Sequence, residues 1–304
     1  MSELKLRFGG YSPAESSHSK ALDRFADSVR AESEGRIEVD VLYNIMDEDR
    51  TTSDLLDMVS SGELDVCYYS TSYLGSSVPL LDALEIPFLF DSLEDAHTAL
   101  DGPFGERLSR AIEAARNFKV LGYWDNGFRH LTNGVRPIQT PHDCVDLKIR
   151  LQPNIIHSEL VQSWGMRPVL VELSKGIELI GSGEVDAQEN PLANTVAYGV
   201  EHQHVTLSAH LYGARGLFAN RDRMDGLSAV ESKILMNGSR IAILQQREDA
   251  KRYEMELLDG LRAEGRQIVT LTGDERSEFA KAAGLVIARA RRKIPSDLLD
   301  LLGS

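Results

Sequence analysis

Cysteine is nearly absent: a chain of 304 residues has two, Cys67 and Cys144. Two are too few for the disulfide framework that staples small secreted scaffolds, and they leave the compartment open. Cys67 lies in an apolar run and reads as a small buried hydrophobe; a Cys67–Cys144 bridge has nothing in the sequence to support it. Positive charge is also scarce, with 33 Lys and Arg against 47 Asp and Glu and a formal net charge of -14. That argues against nucleic acid, whose phosphates want a basic surface. Small anions stay open as ligands, because screening beyond about 8 Å lets the local charge of a cleft decide. No apolar run approaches the length of a transmembrane helix. No charged-then-apolar leader precedes "MSELKLRFGG", so the expectation is a cytoplasmic chain or the mature part of an exported one.

The motifs of common chemistries are missing too. There is no G-x-G-x-x-G, no G-x-x-x-x-G-K-[ST] and no G-x-S-x-G. In "PHDC", His142 and Cys144 are too close in sequence for a Cys–His nucleophile. His202, His204 and His210 alternate as metal ligands on a strand can, but no cysteine or tight carboxylate set joins them. The reading is therefore no metal, no cofactor and no catalytic constellation. An enzyme acting on an organic acid would need Asp125 or Glu189 as a base, and neither has a visible partner in the sequence.

What is there is a packed globular composition, 42% hydrophobic and 26% charged, long enough for one large domain or two ordinary ones. The first seventy residues alternate strand and helix patterns. "LKLRF" is a strand. "SKALDRFADSVRAESEG" places Leu22, Phe25 and Val29 on one helical stripe, with Gly35 as a stop. "RIEVDVLY" is a strand, "TTSDLLDMVSSG" a helix closed by Gly62, and "ELDVCYYS" a strand. The same β-α-β-α-β order returns from Asp146. "DLKIRLQ" is a strand, "IIHSELVQSWG" a helix, "RPVLVE" a strand, "SKGIELIGSG" a short helix with Ser174 as candidate N-cap, and "EVDAQE" a strand. "SGELDV" at Ser61–Val66 is echoed by "SGEVDA" at Ser182–Ala187, at the same point of both copies. Such alternation predicts two α/β lobes with parallel strands and a ligand held beyond their carboxyl ends, in a cleft between the lobes. The proline-free stretch from Gly226 to Gly265 predicts one or two long helices, with Gly238 a point of interruption.

Several polar and aromatic residues fall at predicted strand ends. Arg150 lies on the face of its strand opposite Leu147, Ile149 and Leu151, with Gln152 on the same side and Pro153 ending the ladder. A guanidinium there can present paired N–H donors to a carboxylate, or form an internal salt bridge. Asn190 is held extended by Pro191 and can donate and accept, or cap its own turn. Arg129 follows a predicted Asn126–Gly127 turn. Tyr11, Tyr43, Tyr69, Trp124 and Tyr212 can wall a pocket or serve as core.

At this point the sequence resembles a known family. "GFRHLTNGVRPIQTPHDCVDLKIRLQPN", "WGMRPV", "GSGEVDAQENPL" and "SAHLY" follow in the order of the solute-binding proteins of tripartite ATP-independent periplasmic (TRAP) transporters, the C4-dicarboxylate-binding type. Upstream, "HSKALDRFADSVRAESEGRIEVDV" and "LEIPFLFDSLEDAHTALDG" match as well, so the resemblance covers nearly the whole chain. It implies a two-lobed periplasmic-binding-protein-like α/β fold, each lobe an open mixed sheet flanked by helices, with a long helix spanning both. The N-terminal lobe would comprise residues 1–126 and 216–254, the C-terminal lobe 127–215 and 255–304. It implies a periplasmic protein, its signal peptide removed, that captures a small organic acid and delivers it to a membrane permease. It would be a monomer and not an enzyme. A sensor or scavenger of the same fold would have the same pocket. The carboxylate-binding arginine falls on Arg150, a second arginine on Arg129, and the asparagine on Asn190. Tyr69, Ser70 and the Tyr11–Ser12 turn would close over the ligand from the other lobe. The chain departs from the pattern at Asp146 and Ala187, where glycine is usual, and at Leu173, Lys175 and Ile177, where an aromatic and a Glu-x-Tyr are common. Also, "YNIMDEDRTTSD" replaces a usual Leu-Gly. The resemblance therefore does not name the acid.

Overall fold

The structure is a computed structural model that describes residues 4–197 and 202–302. Among these, the strands in chain order are β1 (Leu4–Gly9), β2 (Ile37–Leu42), β3 (Val66–Ser70), β4 (Phe118–Asn133), β5 (Lys148–Leu151), β6 (Arg167–Leu170), β7 (Ala187–Asn190), β8 (His204–Asn220) and β9 (Gln267–Thr270). The chain forms two compact units. The first holds Met1–Leu80, Thr98–Asp125 and Ala214–Lys251; the second holds Leu81–His97, Asn126–Gly213 and Arg252–Ser304. Strands β4 and β8 and the 35-residue helix Ala229–Ala263 each run through both. The division expected from sequence left residues 81–97 in the N-terminal lobe. They group with the second unit, where Glu85 bonds His157 and the ring of Phe88 stands edge-on to Trp164.

In the first unit β1 lies between β2 and β3, parallel to both, and β3 pairs antiparallel with the C-terminal half of β8. The helix Ser17–Glu32 begins where the Ser16 hydroxyl accepts the Ser19 N–H, a capping arrangement that satisfies one orphan donor. Its apolar stripe, Leu22, Phe25 and Val29, packs with Leu6, Phe8, Trp124 and Ile243 in one core. Gly238 does not interrupt the long helix; a Cβ there would stand 3.1 Å from both Phe25 and Val29, so the glycine marks close helix–helix approach.

In the second unit β5 lies between β6 and β7, parallel to both, β7 pairs antiparallel with β4, and the N-terminal half of β8 pairs with β9. Leu131, Ile149, Leu151, Leu160, Trp164 and Phe279 form its core. The helix Ile155–Ser163 is capped by Asn154, whose side chain accepts the N–H groups of Ile156 and His157. The helix Leu173–Gly181 starts ahead of Ser174, with Glu172 at the N-cap position; the Ser174 side chain lies outside what the structure describes. Asp146, where glycine was usual, is left-handed at φ 67, a conformation that glycine adopts freely and aspartate tolerates. Cys67 and Cys144 are buried, free and in different units.

The echoed hexapeptide has one physical meaning in both units. Gly62 (φ 81) and Gly183 (φ 74) turn the chain out of a helix in the left-handed conformation. The aspartate three residues on then clasps the first strand. Asp65 donates its N–H to the Arg7 carbonyl at 2.8 Å and accepts the Arg7 N–H on its carboxylate at 2.7 Å. Asp186 does the same with Lys148, at 2.8 Å in both directions. Each aspartate thus sets the register of a neighbouring parallel pair, β3 against β1 and β7 against β5.

Candidate functional site

The strand register of the second unit positions the predicted polar residues. Arg150 on β5 stands opposite Gln188 on β7, and Asn190 on β7 stands opposite His130 on β4. Arg150 is 3% exposed, on the side of β5 away from Ile149 and Leu151, which belong to the core. Its Nη2 donates to the Val171 carbonyl at 3.0 Å. Asn190 and Gln152 are also buried, and the Asn190 amide donates to Gln188 Oε1 at 3.5 Å. Tyr212 is buried between the rings of Phe90 and Phe128, edge-on to both at 5.6 Å.

Arg129 has a partner the sequence did not reveal. Its Nε donates to Glu189 Oε2, and its Nη2 donates to Glu189 Oε1 at 2.7 Å and to the Glu189 carbonyl at 3.1 Å. This fork-on-carboxylate pair is buried at both ends. Around it lie His157, whose Nε2 meets Glu85 Oε2 at 2.6 Å and whose Nδ1 stands 3.7 Å from Glu189, and His210, 3.6 Å from Glu189. The two histidines go opposite ways. Burial disfavours charge on His157, but the bonds and charges of Glu189 and Glu85 outweigh it and raise its pKa to about 9. Burial dominates at His210 and lowers its pKa to about 4, while its Nδ1 bonds the Ser208 hydroxyl at 2.7 Å. Glu189 has the opposite problem: burial raises its pKa, yet Arg129 and the histidines together hold it well below the usual range. At neutral pH the cluster therefore sets two cations, Arg129 and His157, around the Glu189 carboxylate.

A pH dependence follows for His157. Its folded pKa of about 9 lies above the ordinary value of 6.5, so its contribution is complete below pH 6.5 and is lost as pH rises through 9. The loss is expected to reach about 3 kcal/mol, from about 1.4 kcal/mol per unit. Urea midpoints measured from pH 6.5 to 9.5 check it; a flat profile, or one that a His157→Gln variant shares, would refute it.

The first unit holds a separate group. The ring of Tyr11 lies tilted against those of Tyr69, at 5.3 Å, and Tyr68, at 5.2 Å. The guanidinium of buried Arg215 lies over the rings of Tyr11, at 4.9 Å, and Tyr68, at 5.4 Å. The hydroxyl of Ser70 pairs with that of Ser72 at 2.8 Å. Trp124 sits in the core behind these tyrosines, 5.4 Å from Tyr68. His18 donates Nε2–H to the Asp125 carbonyl at 2.9 Å, and burial holds it neutral. Sequence reading missed Arg215, although a lone charge in "LYGARGLFAN" between small and apolar neighbours was the available signal. It missed Glu85 and His157 because their meeting depends on tertiary packing. His202 and His210, weighed as metal ligands, each bond a hydroxyl, of Thr132 and Ser208.

Residues 8–293 match the model of a protein family described as bacterial extracellular solute-binding protein, family 7. The chain belongs to this family. Within it, the family 7 chain is 26% identical over 286 residues to the 2,3-diketo-L-gulonate-binding periplasmic protein YiaO of Escherichia coli, covering 92% of this chain and 84% of that one. Its fold matches a TRAP periplasmic solute-binding protein from Ochrobactrum anthropi with TM-score 0.91 and 25% identity, over 99% of this chain and 94% of that one. The sugar acid binding protein DctPAm from Advenella mimigardefordensis, solved with galactonate, matches with TM-score 0.88 and 25% identity over 98% and 97% of the chains.

Proposed function

We propose that this family 7 protein is the periplasmic receptor of a TRAP transporter, that it binds a small organic acid through the acid's carboxylate, and that it passes the acid unchanged to membrane permease subunits. The observation that carries this reading is Arg150. It is a buried guanidinium near the carboxyl end of a parallel strand, where open α/β sheets bind ligands. The relatives that bind 2,3-diketo-L-gulonate and galactonate support a carboxylate ligand. Arg150 is proposed as the anchor, giving paired donors to the carboxylate, with Asn190 and Gln152 adding amide groups. Arg129 has its Nε and one Nη engaged by Glu189, and its main part is to hold β4 and β7 in place beside the anchor. The acid is proposed to bind a monomer, and the net charge of -14 supports a partner other than nucleic acid.

Melting curves in D-galactonate, 2,3-diketo-L-gulonate, D-glucuronate and succinate identify a binder, since a ligand of the native state alone must raise the melting temperature. A charge-assisted bond is worth roughly 1.5–3 kcal/mol net, so Arg150→Ala is expected to weaken that binder roughly ten- to more than a hundredfold by calorimetry. Unchanged affinity would remove Arg150 as anchor, and consumption of the acid on incubation would make the protein an enzyme.

A further inference from the structure

We propose that Gly176 is a positioning residue for Arg150, and that the bare α-carbon of this glycine decides where the guanidinium of the anchor lies. Gly176 is buried within the helix Leu173–Gly181, and its N–H donates to the Glu172 carbonyl at 2.9 Å, an ordinary helical bond. A glycine inside a helix is unfavourable relative to alanine, because it loses more backbone freedom on folding. Its backbone gives no reason to accept that cost, because its φ is outside the left-handed region where glycine is favoured. The reason is Arg150. A Cβ built on Gly176 would fall 2.9 Å from Arg150 Cδ and 3.1 Å from Cγ, with Nε closer still. These are the middle atoms of the side chain, so a small swing of its tip does not relieve the clash. The tip of the arginine is held by the Val171 carbonyl, which accepts from Nη2 at 3.0 Å. One short segment, residues 171–176, therefore supplies both constraints: a carbonyl that holds the fork and a gap that admits the shaft.

The proposal rests on the reading of Arg150 as carboxylate anchor. It predicts that helix stability and ligand affinity move in opposite directions at one position. Gly176→Ala removes a helix-breaking residue, yet it must push the guanidinium out of line. Gly181, at the end of the same helix, has nothing within 4 Å of a built Cβ, so Gly181→Ala is the matched control.

The first measurement needs no ligand. The Nε–H signal of Arg150 in the full-length protein is assigned by its loss in Arg150→Lys. Gly176→Ala should shift or broaden it, and Gly181→Ala should leave it in place. The second measurement is affinity for whichever of D-galactonate, 2,3-diketo-L-gulonate, D-glucuronate and succinate raises the wild-type melting temperature most. Gly176→Ala should weaken that acid by about tenfold or more, the scale of an overpacked site, while far-ultraviolet circular dichroism stays native. In an Arg150→Ala background no shaft remains to collide, so adding Gly176→Ala should cost less than about twofold. An unmoved Nε–H signal, an unchanged affinity, or an equal loss with and without Arg150 would each overturn the proposal. If Arg150→Ala itself leaves affinity intact, the anchor reading fails and the positioning role fails with it. If only Gly176→Ala is silent, the anchor reading stands.

Discussion

Glu189→Gln is expected to destabilise the second unit by about 3–5 kcal/mol, the usual result of stripping one partner from a buried ion pair. The carboxylate meets Arg129 through both oxygens and stands within 4 Å of His157 and His210. Glutamine keeps the shape but turns an amide donor towards the guanidinium, so two donors face each other and a buried cation loses its counter-charge. Solvent cannot rescue it, because both side chains are almost fully enclosed. Trp164 lies in the core of this unit and donates Nε1–H to the Phe279 carbonyl, so its fluorescence in a Trp124→Phe background reports the transition by urea. Adding Arg129→Met should recover much of the loss, because a neutral, space-filling replacement of a whole buried pair is often tolerated. A Glu189→Gln protein within about 1 kcal/mol of wild type would mean that the pair contributes nothing and that Arg129 is available for other bonds.

That prediction marks where sequence reading stops. The succession of strands and helices was legible because amphipathic periods and glycine stops are local. The SGE-[LV]-D echo was legible as a repeat. Its purpose, an aspartate clasping the first strand through both its N–H and its carboxylate, needed the register of β1 with β3 and of β5 with β7. Arg150 could be picked out by strand alternation and by the proline that follows two residues after Leu151. Glu189 could not be assigned its role. Its partners come from β4, from the helix Ile155–Ser163 and from β8, and no local pattern links Arg129, His157 and His210. Residues 81–97 follow the first three strands in sequence, yet Glu85 and Phe88 complete the second unit. Nothing local marks Gly176 either: its importance lies in the shaft of Arg150 against it, which only the packing brings there.

Acid should weaken both units, and the second by a predictable amount. His210 and His202 are each lowered to about 4. Burial is the main cause at both, aided by the nearby Arg266 charge at His202 and, at His210, by Arg129 and His130 against the opposing pull of Glu189. An unfolded histidine titrates near 6.5, so below that pH the unfolded chain takes up protons that the folded one refuses. The stability these groups supply is therefore complete above pH 6.5 and is lost as pH falls towards 4. At pH 5 the loss is about 2 kcal/mol for each, from about 1.4 kcal/mol per unit. Glu189 acts in the same direction lower down, since its depressed pKa means stability is lost as pH falls below the ordinary 4.5. His157 acts oppositely at the alkaline end. Together they give the second unit its greatest stability near pH 6.5. Each unit carries its own reporter: the ring of Trp164 stands edge-on to His210 at 5.5 Å, and that of Trp124 lies 6.3 Å from His18, which burial also keeps neutral. Urea midpoints of the Trp124→Phe and Trp164→Phe proteins should both fall between pH 7 and pH 5, and His210→Asn should flatten the profile read by Trp164 alone. Midpoints that stay level over this range would mean that these rings take up protons inside the fold, and that the cluster around Glu189 holds a third cation.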